Sequence, residues 1–142
     1  RAQQATLYGA VMICYEDVFG SEIASRLRSS KNPPNFLINM TNLAWFGNTS
    51  APWQHLRLAQ LRSLETGLPT IRATNTGVTA IIDAKGKVQV QLPIFEQDVL
   101  TGSVQAMTGS TPYVLLGDRP IITLSFLLLA LCWWKRRQSK KS

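Results

Sequence analysis

The chain has 142 residues, 45% of them hydrophobic, and a formal net charge of +7, enough for one modest domain with its own core. Five of the fifteen basic residues lie in the tail Lys135-Arg136-Arg137-Gln138-Ser139-Lys140-Lys141, which leaves ten against eight acids in the body; so balanced a body does not indicate a nucleic-acid groove. The two cysteines, Cys14 and Cys132, sit in unlike contexts, make no metal motif and argue against a disulfide between them.

The chain begins at Arg1, shows no signal peptide and enters an apolar segment almost at once, which reads as a fragment lacking its N-terminal part. Residues 6–13 read as a central strand. Residues 21–28 read as a short helix capped by Ser21, with an acid early and Arg late, as the helix dipole prefers. Lys31, Asn32 and two prolines break it. Phe36–Met40 is a second buried strand, and 41–52 a loop that carries Trp45 and Phe46 together. Residues 53–66 form an amphipathic helix, with Leu56, Leu58, Ala59, Leu61 and Leu64 as its apolar surface and Arg57, Gln60 and Arg62 toward solvent. Gly67-Leu68-Pro69 ends it. Strands follow at 70–73 and 78–83, then a turn at Ala84-Lys85-Gly86, a period-two strand at 87–92 and a strand at 99–107. The order is that of a layered α/β domain.

Ile121–Trp134 is an uncharged run of 14 residues, about 21 Å as a helix, against the ~30 Å of a bilayer core. Extension back to Tyr113 gives about 33 Å but sets Asp118 and Arg119 below the interface; otherwise Asp118 starts the helix, with Pro120 in its first turn. Trp133-Trp134 suits the headgroup layer, and the basic tail fits the positive-inside rule. A single membrane span with a cytoplasmic tail is expected; the alternative is a C-terminal helix buried in a soluble domain.

The chemistry centres on Cys14. The apolar run Val11-Met12-Ile13 stops there, Tyr15, Glu16 and Asp17 follow, and Gly20-Ser21 opens the helix. A strand that delivers one thiol to a turn before a helix N-terminus suits covalent acyl chemistry, because backbone N–H groups there favour a thiolate and hold an oxyanion. The alternative is a buried cysteine acting as a small hydrophobe.

Ile13-Cys14-Tyr15-Glu16 resembles the nucleophile motif of the nitrilase (carbon–nitrogen hydrolase) superfamily. Asn39-Met-Thr-Asn-Leu-Ala-Trp-Phe-Gly47 resembles its next loop. Gln54-His55-Leu56, Arg62-Ser-Leu-Glu65 and Arg72-Ala-Thr-Asn-Thr-Gly77 follow in order. The set looks like the apolipoprotein N-acyltransferase branch over about residues 8–110. The resemblance implies residues 1–110 as the C-terminal part of a nitrilase-like α-β-β-α sandwich, 111–135 as a transmembrane helix with its lead-in and 136–142 as a basic tail. It also implies a two-step transfer. A Cys14 thiolate takes an acyl chain from a phospholipid as a thioester. The N-terminal amine of a diacylglyceryl-cysteine apolipoprotein then takes it on. Cys14 is the implied nucleophile, the Tyr15 backbone N–H an oxyanion donor, and Glu16 an acid that holds the site's shape or charge; the alternative for Glu16 is an ordinary helix-start acid.

The general-base Glu and oxyanion Lys that the resemblance implies lie upstream of residue 1, and Lys31, Lys85 and Lys87 match neither, so residues 1–142 alone are expected to be inactive. Trp45 and Phe46 match an aromatic pair near the site, lining an acyl path or dipping into the bilayer, or simply packing on the core. Leu43 departs from the polar residue often seen there, and Asn42 is expected to bond the loop backbone. His55 reads as a capping or packing residue, and Glu65 and Arg72 as a pair behind the site. No metal or organic cofactor is indicated. The partners implied are the phospholipid, the apolipoprotein and the bilayer of a bacterial inner membrane, with the catalytic body periplasmic. A soluble carbon–nitrogen hydrolase such as an amidase, and a non-catalytic membrane-anchored module, are the competing readings.

Overall fold

The computed structural model describes residues 6–139; the lead-in at 1–5 and the end of the expected tail, 140–142, lie outside them. In chain order come β1 (Gly9–Ile13), a 3₁₀ turn (Cys14–Val18), α1 (Gly20–Ser29), β2 (Phe36–Asn42), a 3₁₀ turn (Ala44–Phe46), α2 (Ala51–Thr66), β3 (Thr70–Asn75), β4 (Ala80–Ile82), β5 (Val88–Gln91), α3 (Pro112–Leu116) and α4 (Arg119–Ser139). The five strands lie side by side in sequence order. β1, β2 and β3 run parallel, while β4 and β5 return antiparallel. Helical crossovers between parallel strands and a short turn between antiparallel ones are what the connection lengths permit.

Strand alternation divides the sheet into two unlike faces. On one, Met12, Leu37, Asn39, Thr41, Thr70 and Arg72 are buried beneath α1 and α2. The apolar part of that layer forms two clusters: Met12, Leu37 and Leu68 with Ile23 of α1, and Val78, Ala80 and Ile82 with Leu56 and Ala59 of α2. On the other face Val11, Ile13 and Met40 stand exposed. Paired registers line up Val11, Ile38 and Ile71 in one row and Ile13, Met40 and Ala73 in the next. Parallel sheets are ordinarily covered on both faces; here, among the described residues, the second face is open at β1 and the end of β2, while Ile81 of β4 is buried on it.

Several expectations need correction. Residues 99–107 form no strand. The backbone at Gly102 lies against the side chains of Ile81 and Val90, so the segment meets the sheet face-on and cannot join its ladder. Ser21 does not cap α1, which starts at Gly20 after Phe19 with no side-chain cap bond. On α2, Leu61 and Leu64 are exposed while Arg62 is buried. Its guanidinium occupies space that Gly20 leaves empty, since a Cβ there would stand 1.7 Å from Nη1, and it pairs with Glu65 at 3.0 Å.

α3 is docked on the helix layer. Arg28 Nη1 donates to the carbonyls of Val114 and Leu115 at 3.0 and 3.2 Å, and the Thr111 hydroxyl donates to the Glu65 carbonyl. Two residues, Gly117 and Asp118, then lead to α4. α4 exposes apolar side chains all round, Ile121, Phe126, Leu129 and Trp133 among them. The span expected over 111–135 is not borne out, because among the described residues no helix is long and apolar enough to cross a membrane. The physical reason is the shortness of the uncharged run, bounded by Arg119 and Lys135.

Candidate functional site

β1 ends at Ile13, and the chain turns sharply at Cys14, whose φ is +53°. A side-chain-bearing residue in this left-handed region costs roughly 1–2 kcal/mol, so the neighbours must hold it there. Glu16 does part of this. Its carboxylate reaches back to accept the Ile13 N–H at 2.8 Å, and Arg26 stands 3.5 Å away on the exposed side, a pairing of small energetic weight. Glu16 is thereby tied to the strand residue that precedes the thiol, and its position beside Cys14 is a consequence of the turn.

Cys14 is half-buried at the rim of an open cleft of about 690 Å³ lined by Ile13, Met40, Thr41, Asn42, Trp45 and Asn75 among others. The floor of that cleft is the end of the open sheet face. Asn42 accepts the Ala44 N–H at 3.0 Å and the Asn75 amide at 3.4 Å, so it shapes the loop as expected. The aromatic pair divides. Trp45 is 81% exposed on the cleft, whereas Phe46 turns to the ring of Tyr15, 6.3 Å between centroids. Tyr15 in turn lies 5.3 Å from the ring of His55. Cys14, Tyr15, Asn42 and Trp45 are therefore brought together, with Phe46 behind them.

Beneath the turn lies a buried polar cluster that the sequence reading did not assemble. Arg72 of β3 is 1% exposed, Asn39 and Asp17 0%. Arg72 donates from Nη1 to Asn39 Oδ1 at 2.6 Å and to Asp17 Oδ2 at 3.2 Å, from Nε to the Val78 carbonyl at 3.2 Å, and from Nη2 toward His55 Nδ1 at 2.6 Å. A guanidinium only donates, so His55 Nδ1 accepts and its proton sits on Nε2, which stands 2.8 Å from Asp17 Oδ1. Asn39 Nδ2 donates to the Cys14 carbonyl at 3.5 Å. Burial pushes the Arg72 guanidinium below its ordinary range, with Asp17 pulling it back.

His55 is thus a packing residue, its Nδ1 bonded to Arg72 and its Nε2 close to the Asp17 carboxylate, and no Cys–His dyad forms. The expected Glu65–Arg72 pair does not form either: Glu65 pairs with Arg62 and Arg72 with Asp17. Period two was the available signal. Asn39 shares the inward phase of Leu37, and Met12, Asn39 and Arg72 are register partners across three strands. Two inward polar residues in adjacent strands require each other. Among the described residues no cluster of His, Cys, Asp and Glu could hold a metal ion.

The carbon–nitrogen hydrolase family model matches residues 5–113. The chain is 47% identical over 127 residues to an apolipoprotein N-acyltransferase of Ralstonia nicotianae, covering 89% of this chain and 24% of that protein. It is 48% identical over 130 residues to the apolipoprotein N-acyltransferase of Methylococcus capsulatus, covering 92% and 25%. The chain therefore spans about a quarter of the length of the curated relatives it matches. Among solved structures, a CN-hydrolase superfamily protein of Xanthomonas campestris with an arsenic adduct in its active site matches with a TM-score of 0.51 at 18% identity, over 63% of this chain and 37% of that one. At that identity the likeness concerns the fold alone.

Proposed function

Because the chain belongs to the carbon–nitrogen hydrolase family, we propose that it is part of an N-acyltransferase that completes bacterial lipoproteins. The relatives' identity in name and sequence supports lipoprotein N-acylation in general. The observation that carries the reading to a mechanism is the backbone at Cys14. A left-handed φ at a strand end turns the thiol to the rim of a wide cleft, an arrangement suited to a nucleophile and wasted on a packing residue.

In the proposed first step the Cys14 sulfur attacks the ester carbonyl of a phospholipid. A carbon–sulfur bond forms, and the tetrahedral oxyanion accepts from the Tyr15 N–H. The ester carbon–oxygen bond breaks, and a lysophospholipid leaves with the proton lost by the thiol. In the second step the amine of a diacylglyceryl-cysteine attacks the thioester, an amide forms, and the thiol is regenerated. Asn42 and Trp45 line the approach of the chain, and Phe46 supports Tyr15. Neither His55 nor Glu16 is available as the base, since each is committed to its own partners. We therefore expect residues 1–142 alone not to turn over, the base and oxyanion lysine being those that the resemblance sets upstream.

The open sheet face suits the second layer of an α-β-β-α sandwich. α4 suits a bilayer: a two-chain lipid leaves its membrane reluctantly, at about 0.8 kcal/mol per CH₂, so the enzyme must work at the surface. An apolar helix with Trp133-Trp134 and a basic end supports a seat at the inner-membrane surface, and a periplasmic body follows from the resemblance and not from a crossing by this helix.

Intact-mass analysis tests the proposal. The protein at its relatives' length, given phospholipid and no acceptor, should gain one acyl mass on Cys14, removable by hydroxylamine and absent in Cys14→Ser. Acylation elsewhere, or none in a preparation that transfers acyl chains, overturns it; release of free fatty acid or ammonia from amides instead would favour the hydrolase reading.

A further inference from the structure

The peptide that joins Cys14 to Tyr15 carries two groups of consequence. Its carbonyl accepts from Asn39 Nδ2. Its N–H is the oxyanion donor of the mechanism proposed above, on which this inference rests. The described chain has no cis peptide bonds, and in a planar trans peptide C=O and N–H point in opposite directions. Whatever holds the carbonyl inward therefore aims the N–H outward, to the side where the cleft opens.

We propose that Arg72 is the positioning residue for this peptide, acting through Asn39 on its carbonyl and through Asp17 on the far end of the same turn. Arg72 touches neither sulfur nor substrate. From one Nη1 it grips Asn39 Oδ1 at 2.6 Å and Asp17 Oδ2 at 3.2 Å, so the start and the end of the 3₁₀ turn are tied to a single buried atom. The guanidinium cannot shift to satisfy one and release the other, because Nε is fixed to the Val78 carbonyl and Nη2 to His55. Its register partner on β4 is Ala80, whose small side chain leaves the strand beside it uncrowded. Asp17 lies three residues beyond Cys14, one full 3₁₀ repeat, which brings its carboxylate under the turn. Asn39 is held by the β2 ladder between β1 and β3. The arrangement uses one cation, one anion and one neutral imidazole, so a planar fork of four donors is what the place requires, and a lysine ammonium could not copy it.

The test separates two reactions of the same sulfur. Thioester formation from p-nitrophenyl butyrate forms a carbon–sulfur bond, expels p-nitrophenolate and passes through an oxyanion. Alkylation by iodoacetamide displaces iodide and forms none. In the protein at its relatives' length, Asn39→Ala should slow acylation by about 10–100-fold, the range for a misplaced oxyanion donor, through kcat with KM nearly unchanged. Alkylation should stay within about threefold, since it does not use that donor. Arg72→Lys should show the same split and serves if Asn39→Ala does not fold, with circular dichroism reporting the folded fraction. Equal changes in both reactions, or no change in acylation by a folded variant, overturn the proposal. A wild type that accepts the nitrophenyl ester but no phospholipid would sink the lipid reading and leave the positioning role standing on the split.

Discussion

The two faces of the sheet invert the usual rule. The helix-covered face hides an arginine, an aspartate, an asparagine and a histidine under Cys14, while the open face shows Val11, Ile13 and Met40 to solvent. Apolar groups favour burial by about 25 cal/mol per Å², and an unpaired buried charge costs several kcal/mol. A polar cluster persists in the covered layer only because every member of it is bonded, and it lies where the backbone most needs holding. The difference teaches that burial alone does not mark the hydrophobic core here. One layer is complete within the chain and the other is a surface shaped to be covered.

The comparison breaks most visibly at Arg72. Arg72→Met leaves Asp17 buried without its cation, and a loss of about 3–5 kcal/mol is expected, read as a fall in the denaturant midpoint at unchanged slope. A loss under about 1 kcal/mol would mean that the covered face is wetter than its geometry states. The open face offers the next test. In the protein at its relatives' length, Met40→Ser should cost about 2 kcal/mol, as at a buried site; a change within about 0.5 kcal/mol, the rule for surfaces, would leave the face uncovered.

The smallest effect belongs to Glu65, on the outer side of the covered layer. Burial raises its carboxyl above the ordinary 4.5, more than Arg62 lowers it. The folded chain therefore binds more proton there than the unfolded chain between those two values. Its contribution to stability is largest below 4.5 and declines as pH rises through the raised value. Melting temperatures of wild type and Glu65→Gln across that window should converge toward the acid end and separate above it, with the Gln variant the less pH-dependent. Parallel curves would remove the assignment.

Much of this is legible in the sequence. The apolar run that stops at Cys14, the strand at Phe36–Met40, the helix closed by Gly67 and the hairpin around Gly86 are local patterns, and local patterns survive folding. The strand expected at 99–107 failed because alternation cannot tell an edge-on approach from a face-on one, and Gly102 settles that only against Ile81 and Val90. The burial of Arg62 depended on a gap at Gly20, 42 residues away. Asp17 was passed over beside Glu16 because neighbouring acids look alike in a string; only a 3₁₀ repeat sends one inward and the other back to Ile13. Trp45 and Phe46 could not be separated by composition, since the turn that splits them is three residues long.

The docking of α3 sets a lever arm. Arg28 clasps the carbonyls at its end, and Tyr113 reaches Asp118 at 3.3 Å, so the joint before α4 has little slack. Wherever α4 is lodged, the Cys14 sulfur is carried at a set height and tilt relative to it. A lengthened Gly117–Asp118 joint would let the body sway, and reach would then be traded against aim.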